Sequence, residues 1–211
     1  KMSSLKLKHS GGNSVSLNPP SSAPTSSEVA FKLPNADGSA NEALVTDASG
    51  QLSFKEFGAF KSYAILLERQ GDTDMGTFTS GAFRTRPINV ELADPDGIVS
   101  LSSNQFTLQA GTYIIKWSCI AFDVDHHSSR INHISGSFTT GGTEMGTSHF
   151  SDDGDEITNT SMGVSLQVPT NANVYEIQHK CTSTQSGNGF GVRTNFGQNT
   201  VSSIVEIIKI V

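Results

Sequence analysis

Asp123-Val124-Asp125-His126-His127 is the stretch of this chain with the clearest metal-ligand chemistry. Imidazole nitrogens and carboxylate oxygens suit zinc and other borderline cations. Strand alternation would place Asp123, Asp125 and His127 on one face and His126 on the other. A metal ion held by Asp125, His126 and His127 is one expectation. A polar strand end satisfied by Arg130 and nearby backbone is the other. The acidic run Ser151-Asp152-Asp153-Gly154-Asp155-Glu156 offers oxygen ligands for calcium if backbone carbonyls are added. It lacks the spacing of an EF-hand, so a hydrated loop tip is the simpler reading. Asp72-Thr73-Asp74 and Asp94-Pro95-Asp96-Gly97 read as turns.

Enzyme constellations are missing. There is no Gly-x-Ser-x-Gly elbow, and nothing brings a Ser, His and Asp set together in a strand–turn–helix context. No pair of carboxylates is placed across a groove as a glycosidase requires. Gly187-Asn188-Gly189-Phe190-Gly191 has no Lys and precedes a strand, so it is not a phosphate loop. The chain therefore reads as a non-enzyme, with no cofactor expected beyond such an ion. For ligand recognition, loops on a rigid β scaffold are the natural surface. His149, Phe150, Asp152, Asp153 and Asn188 combine an aromatic ring with polar groups that can hold a sugar. In the competing reading, Phe150 packs inward and these loops are only solvated.

The elements that must position these residues are β-strands. At 211 residues the chain accommodates one full β domain and an appendage. Hydrophobic residues make up only 35% and charged ones 16%, with 20 glycines among abundant Ser, Thr and Asn, which suits short strands joined by tight turns. So thin an apolar content predicts that association of copies buries more. A net charge of −6 provides no basic stripe for nucleic acid. No apolar run approaches the roughly 20 residues of a membrane span, so membrane insertion is not expected. Lys1 and Lys6 are not followed by the apolar run of a secretory leader, and Met2 reads as a start residue or as the neighbour of a tag residue. Cys119 and Cys181 lie in strand-like runs and read as buried thiols, with a disulfide as the alternative if those strands are neighbours.

Residues 1–30 hold two short alternations, Leu5–Lys8 and Val15–Leu17, then a Pro- and Ser-rich linker. A hairpin or extended arm fits them. Residues 31–54, FKLPNADGSANEALVTDASGQLSF, form a polar cassette with turns at Ala36–Gly38 and Ala48–Gly50 around a strand at Ala43–Thr46. From Phe57 onward strand signals follow one another. They cover Ser62–Glu68, Phe83–Leu92 (broken by Pro87), Gly97–Leu101, Gln105–Leu108, Thr112–Phe122, Ser129–Ile134, Ile157–Val168, Val174–Cys181 and Ser202–Val211. This spacing predicts an all-β chain: an N-terminal arm and small β cassette over 1–56, then a jelly-roll sandwich over 57–211.

Phe106–Phe122, FTLQAGTYIIKWSCIAF, resembles the Phe-x-x-x-x-Gly-x-Tyr strand pair of complement globular-head and tumour-necrosis-factor jelly rolls. Ser202–Val211 resembles their closing strand. That resemblance implies a homotrimer with Tyr113, Ile115, Trp117, Ile204 and Ile208 packed along its axis. It also allows a histidine from each copy to meet on that axis, or Asp125, His127 and Arg130 to act between subunits. The cassette, together with TFTSGAFRTRPIN, DPDGIVSLSSNQFTLQAGTYIIKW and YEIQHKC, resembles fibre, receptor-binding and minor structural proteins of marine bacteriophages, especially cyanophages. This second resemblance implies a virion protein, assembled in the host cytoplasm. Its arm would join other virion proteins and its head would meet a host glycan or protein. A capsid decoration or tail-assembly protein that clamps neighbours through residues 1–56 is the alternative.

Overall fold

The computed structural model describes residues 5–17, 21–22, 30–40, 42–47, 49–56, 61–149 and 157–210. The chain divides into two compact units, 1–58 and 59–211. In the first, β1 (Leu5–Lys8) and β2 (Ser14–Leu17) pair antiparallel around a turn with Gly12 at φ 92°. β3 (Glu42–Thr46) and β4 (Leu52–Glu56) form a second hairpin. Its turn is tied by Asp47, whose Oδ1 accepts from Ser49 N, Ser49 Oγ and Gln51 N. The Gln51 side chain donates to the Lys32 and Leu52 carbonyls, fastening the incoming strand to the hairpin.

The second unit is a two-sheet sandwich. Its strands are β5 (Ser62–Gln70), β6 (Arg84–Thr85), β7 (Val90–Ala93), β8 (Val99–Ser102), β9 (Gln105–Leu108) and β10 (Tyr113–Phe122). They continue as β11 (His127–Ser135), β12 (Phe138–Thr140), β13 (Glu144–His149), β14 (Thr158–Pro169), β15 (Asn173–Cys181) and β16 (Thr200–Lys209). One sheet runs β12-β14-β10-β16-β5-β7, the other β13-β11-β15-β9-β8 with β6 also on β15. From β9 to β10, β10 to β11, β13 to β14, β14 to β15 and β15 to β16 the chain crosses between sheets, the wiring of a jelly roll. All pairings within the two sheets are antiparallel.

Alternation explains the core. On β10, Tyr113, Ile115, Trp117, Cys119 and Ala121 are buried while the intervening residues are not, and Ala64 and Leu66 on β5 and Val205 and Ile207 on β16 meet them. Phe106, Ile131, Tyr175 and Ile177 close the core from the facing sheet. Ser103 (φ 52°) and Asn104 (φ 64°) make the two-residue turn between β8 and β9, where both central residues need left-handed backbone. Pro87 does interrupt its strand: β6 ends at Thr85 and β7 begins at Val90. β12 and β13 are strands that the sequence does not announce. FTT and EMGTSH carry no apolar alternation, and each exists because an edge of β14 or β11 accepts it.

Candidate functional site

Asp125, His126 and His127 do not converge. Asp123 (φ 50°) and Asp125 (φ 56°) adopt left-handed backbone, so the segment is a turn and strand alternation does not hold there. Asp125 accepts from Ser183 Oγ, Asp123 from Gln185 Nε2, and His126 is exposed while His127 is buried. Among the described residues no group of three His, Cys, Asp or Glu side chains is placed to hold a metal. Within one chain, then, Asp125, His126 and His127 do not make the expected site. The acidic turns are structural. Asp72 accepts from the Asn195 and Gly197 amides, Asp74 from Arg193 N, and Asp94 from Ile98 and Val99 N.

His127 belongs instead to a buried polar network built on Arg86. Within this core, Arg86 Nε donates to Glu68 Oε2 (2.8 Å) and Ser203 Oγ (2.9 Å). Its terminal nitrogens donate to Ile120 O, Phe190 O and Ser202 Oγ. Both members of the ion pair are fully buried, and the guanidinium lies 4.4 Å from the Phe190 ring centroid. Multiple charge-assisted hydrogen bonds of this kind offset the desolvation of a buried pair.

The same guanidinium sets the polarity of two imidazoles. Arginine has only donors, so His179 Nδ1, 3.5 Å from Arg86 Nη1, is the acceptor. The His179 proton then sits on Nε2 and is donated to His127 Nδ1 at 2.9 Å. His127 is left with its proton on Nε2, a buried atom with no hydrogen-bond partner among the described residues. Burial, then His149 and Arg86, press the pKa of His127 down to about 4. Burial, then Arg86 and His127, hold His179 well below its ordinary value. The Cys181 thiol is pushed up to about 11 and that of Cys119 is also raised, in both cases chiefly by burial. Both cysteines are free. At neutral pH both imidazoles are therefore neutral and both thiols protonated.

The remaining sequence-predicted residues are placed as follows. His149 turns toward His127 (ring centroids 5.8 Å apart) with its Nδ1 buried, and Asn188 Oδ1 is likewise buried. Both side chains are otherwise only partly buried. Phe150, Asp152 and Asp153 lie outside the described residues. Tyr113, Ile115 and Trp117 are buried within one copy, because they occupy the inward parity of β10. They fill the sandwich instead of lining an axis between copies, a correction to that expectation. Trp117 Nε1 donates to Ser129 Oγ (2.9 Å), which meets Ser161 Oγ (2.7 Å), itself a donor to Thr147 O.

Ile204 and Ile208 have the opposite parity and lie on the outward face of β16. Register aligns that face in three rows across β14, β10, β16 and β5: Leu166–Ile114–Ile208–Tyr63, Val164–Lys116–Glu206–Ile65 and Met162–Ser118–Ile204–Leu67. Val164 is 63% exposed, and Met162, Leu166, Tyr63 and Ile204 are exposed with it. A groove of about 500 Å³ opens there, lined by Met162, Val164 and Ile204 together with Lys116 and Glu206. The outward face of the other sheet is polar. Glu176 accepts from Thr85, Gln105, Asn132 and Gln178, and Gln178 accepts from Arg130 Nε.

No family model and no curated protein matches the chain. Among solved structures it is similar to the Eiger TNF of S. frugiperda (12% identity, 71% of this chain and 92% of that chain, TM-score 0.47). It is also similar to the globular domain of zebrafish complement 1qA (12%, 72% and 98%, TM-score 0.43) and to PRD1 vertex protein P5 (9%, 73% and 100%, TM-score 0.45).

Proposed function

We propose that this chain is a non-enzymatic bacteriophage virion protein, a homotrimeric tail fibre or receptor-binding adhesin with an outward-facing jelly-roll head. The observation that carries this reading is the contrast between the head's two outer faces. One carries nine apolar side chains in three registered rows around a central Lys116, Glu206 and Ser118, and the other is polar and internally hydrogen-bonded. Apolar surface left in water costs about 25 cal/mol per Å², and association of copies removes that cost. Closed cyclic symmetry lets each copy use the same patch while the polar sheets point outward. The host partner in this reading is a surface glycan or protein. Residues 1–56 attach the head to other virion subunits.

A capsid decoration or tail-assembly role is favoured by a separate observation. Phe31, Leu33 and Leu44 in the small unit are exposed, apolar side chains that suit a clamp on neighbouring subunits. Immunogold labelling or cryo-EM of intact virions tests both readings. Label on the tail or its fibres supports the adhesin, label spread over the head supports the decoration protein, and label on neither contradicts a virion role.

A further inference from the structure

We propose that a concavity on the outward face of the β13-β11-β15 sheet binds an acidic sugar residue, a pyranose bearing a carboxylate. The inference rests on the receptor-binding reading above and supplies its ligand class. Register places Ser148, Ser128 and Lys180 opposite one another on three adjacent strands. Their Cα atoms thus stand in one line with steps of about 4.8 Å, the strand spacing, and all three residues line the same cavity. Such a row spans one pyranose ring from its hydroxyls to its carboxylate. Phe83 and the exposed Met145 flank the row and supply apolar surface for the C–H face of a sugar. The cavity measures about 240 Å³, a volume suited to a single saccharide unit rather than a peptide or a chain of sugars.

Charge selects the acidic sugar. Lys180 is exposed, its Nζ 5.8 Å from the Phe83 ring centroid, and the Arg130 guanidinium lies 3.8 Å over the same ring. Among the described residues no Asp or Glu lines the cavity. Among the described residues, Asp125 is engaged by Ser183, and Glu176 by Thr85, Gln105, Asn132 and Gln178. In a chain of net charge −6 this is a local cationic spot surrounded by hydroxyls. A Lys–carboxylate bond is charge-assisted and stronger than a neutral one. Gln178, itself tied to Glu176, accepts from Arg130 Nε and holds that guanidinium over Phe83 beside the cavity.

The test is titration of the full chain with the methyl glycosides of galacturonic acid and N-acetylneuraminic acid. Methyl galactoside and galacturonamide serve as neutral controls and sodium acetate as a plain anion. The expected result is acidic sugars binding at least tenfold tighter than their neutral counterparts. Lys180→Gln should erase that difference, and Ser128→Ala should weaken acidic sugars severalfold, with melting temperatures unchanged. Equal binding of acidic and neutral sugars, acetate binding as tightly as the sugar acids, or indifference to Lys180→Gln would each overturn the proposal. Particles carrying Lys180→Gln separate this from the wider reading. Loss of sugar binding with normal host adsorption keeps the site and removes its receptor role. Absence of sugar binding in a head that still mediates adsorption removes the site and leaves the receptor reading standing.

Discussion

Arg86 and Glu68 join the two sheets through charges that have no access to water. Arg86→Met alone leaves the Glu68 carboxylate buried without its counter-ion, and should cost about 3–5 kcal/mol in urea unfolding. The double change Arg86→Met with Glu68→Met should recover most of that loss, since apolar side chains of similar volume replace a fully desolvated pair well. The imidazoles make a separate prediction. His127 is held near 4 and His179 well below 6.5 in the fold, while both titrate near 6.5 when unfolded. Below about 6.5 the unfolded chain binds more protons, so stability falls as pH drops, with the share of His127 levelling off near 4. Melting curves across that range should show the decline, and His179→Gln should flatten it. Glu68 was partly legible: it continues the inward parity of Ala64 and Leu66 at the end of an apolar run. Arg86 was not, because the groups that satisfy it come from Ile120, Phe190, Ser202 and Ser203, distant in sequence.

Strands with apolar alternation could be read from the chain almost to their ends. Gln105–Leu108 is found with the expected bounds, and Thr112–Phe122 shortens by one residue. Polar edge strands could not be read: β12 and β13 owe their conformation to pairing, which no local pattern encodes. Alternation also misled at Asp123–His127, where left-handed residues end one strand before the next begins. The same physics makes β14 sensitive at one glycine. A Cβ on Gly163 would stand 2.0 Å from a Trp117 ring atom, since Trp117 lies directly opposite it. Gly163→Ala should destabilise the head by about 1–3 kcal/mol through overpacking, measured by chemical unfolding, and should shift the near-ultraviolet signal of the single tryptophan.

For the whole molecule, the low apolar content read from composition meets an apolar face on the outside of one sheet. Of the five residues expected along an axis, the two on the outward parity of β16 remain available to a neighbouring copy, and the three on β10 are consumed by the protomer's own core. Which parity faced inward depended on where the second sheet lay, and alternation alone leaves that choice open. The two units are separately compact, so residues 61–211 expressed alone should keep the β-sheet circular dichroism and the association state of the full chain. Val164→Asp, at the most exposed point of the apolar rows, should break association while leaving the fold intact. Sedimentation equilibrium of the full chain at micromolar concentration and neutral pH is the most direct test. A mass three times the 22.4 kDa of one chain, falling to that of one chain on Val164→Asp, is the predicted result. A wild-type chain that sediments at 22.4 kDa would contradict it, because the apolar sheet face would then stand uncovered in solution.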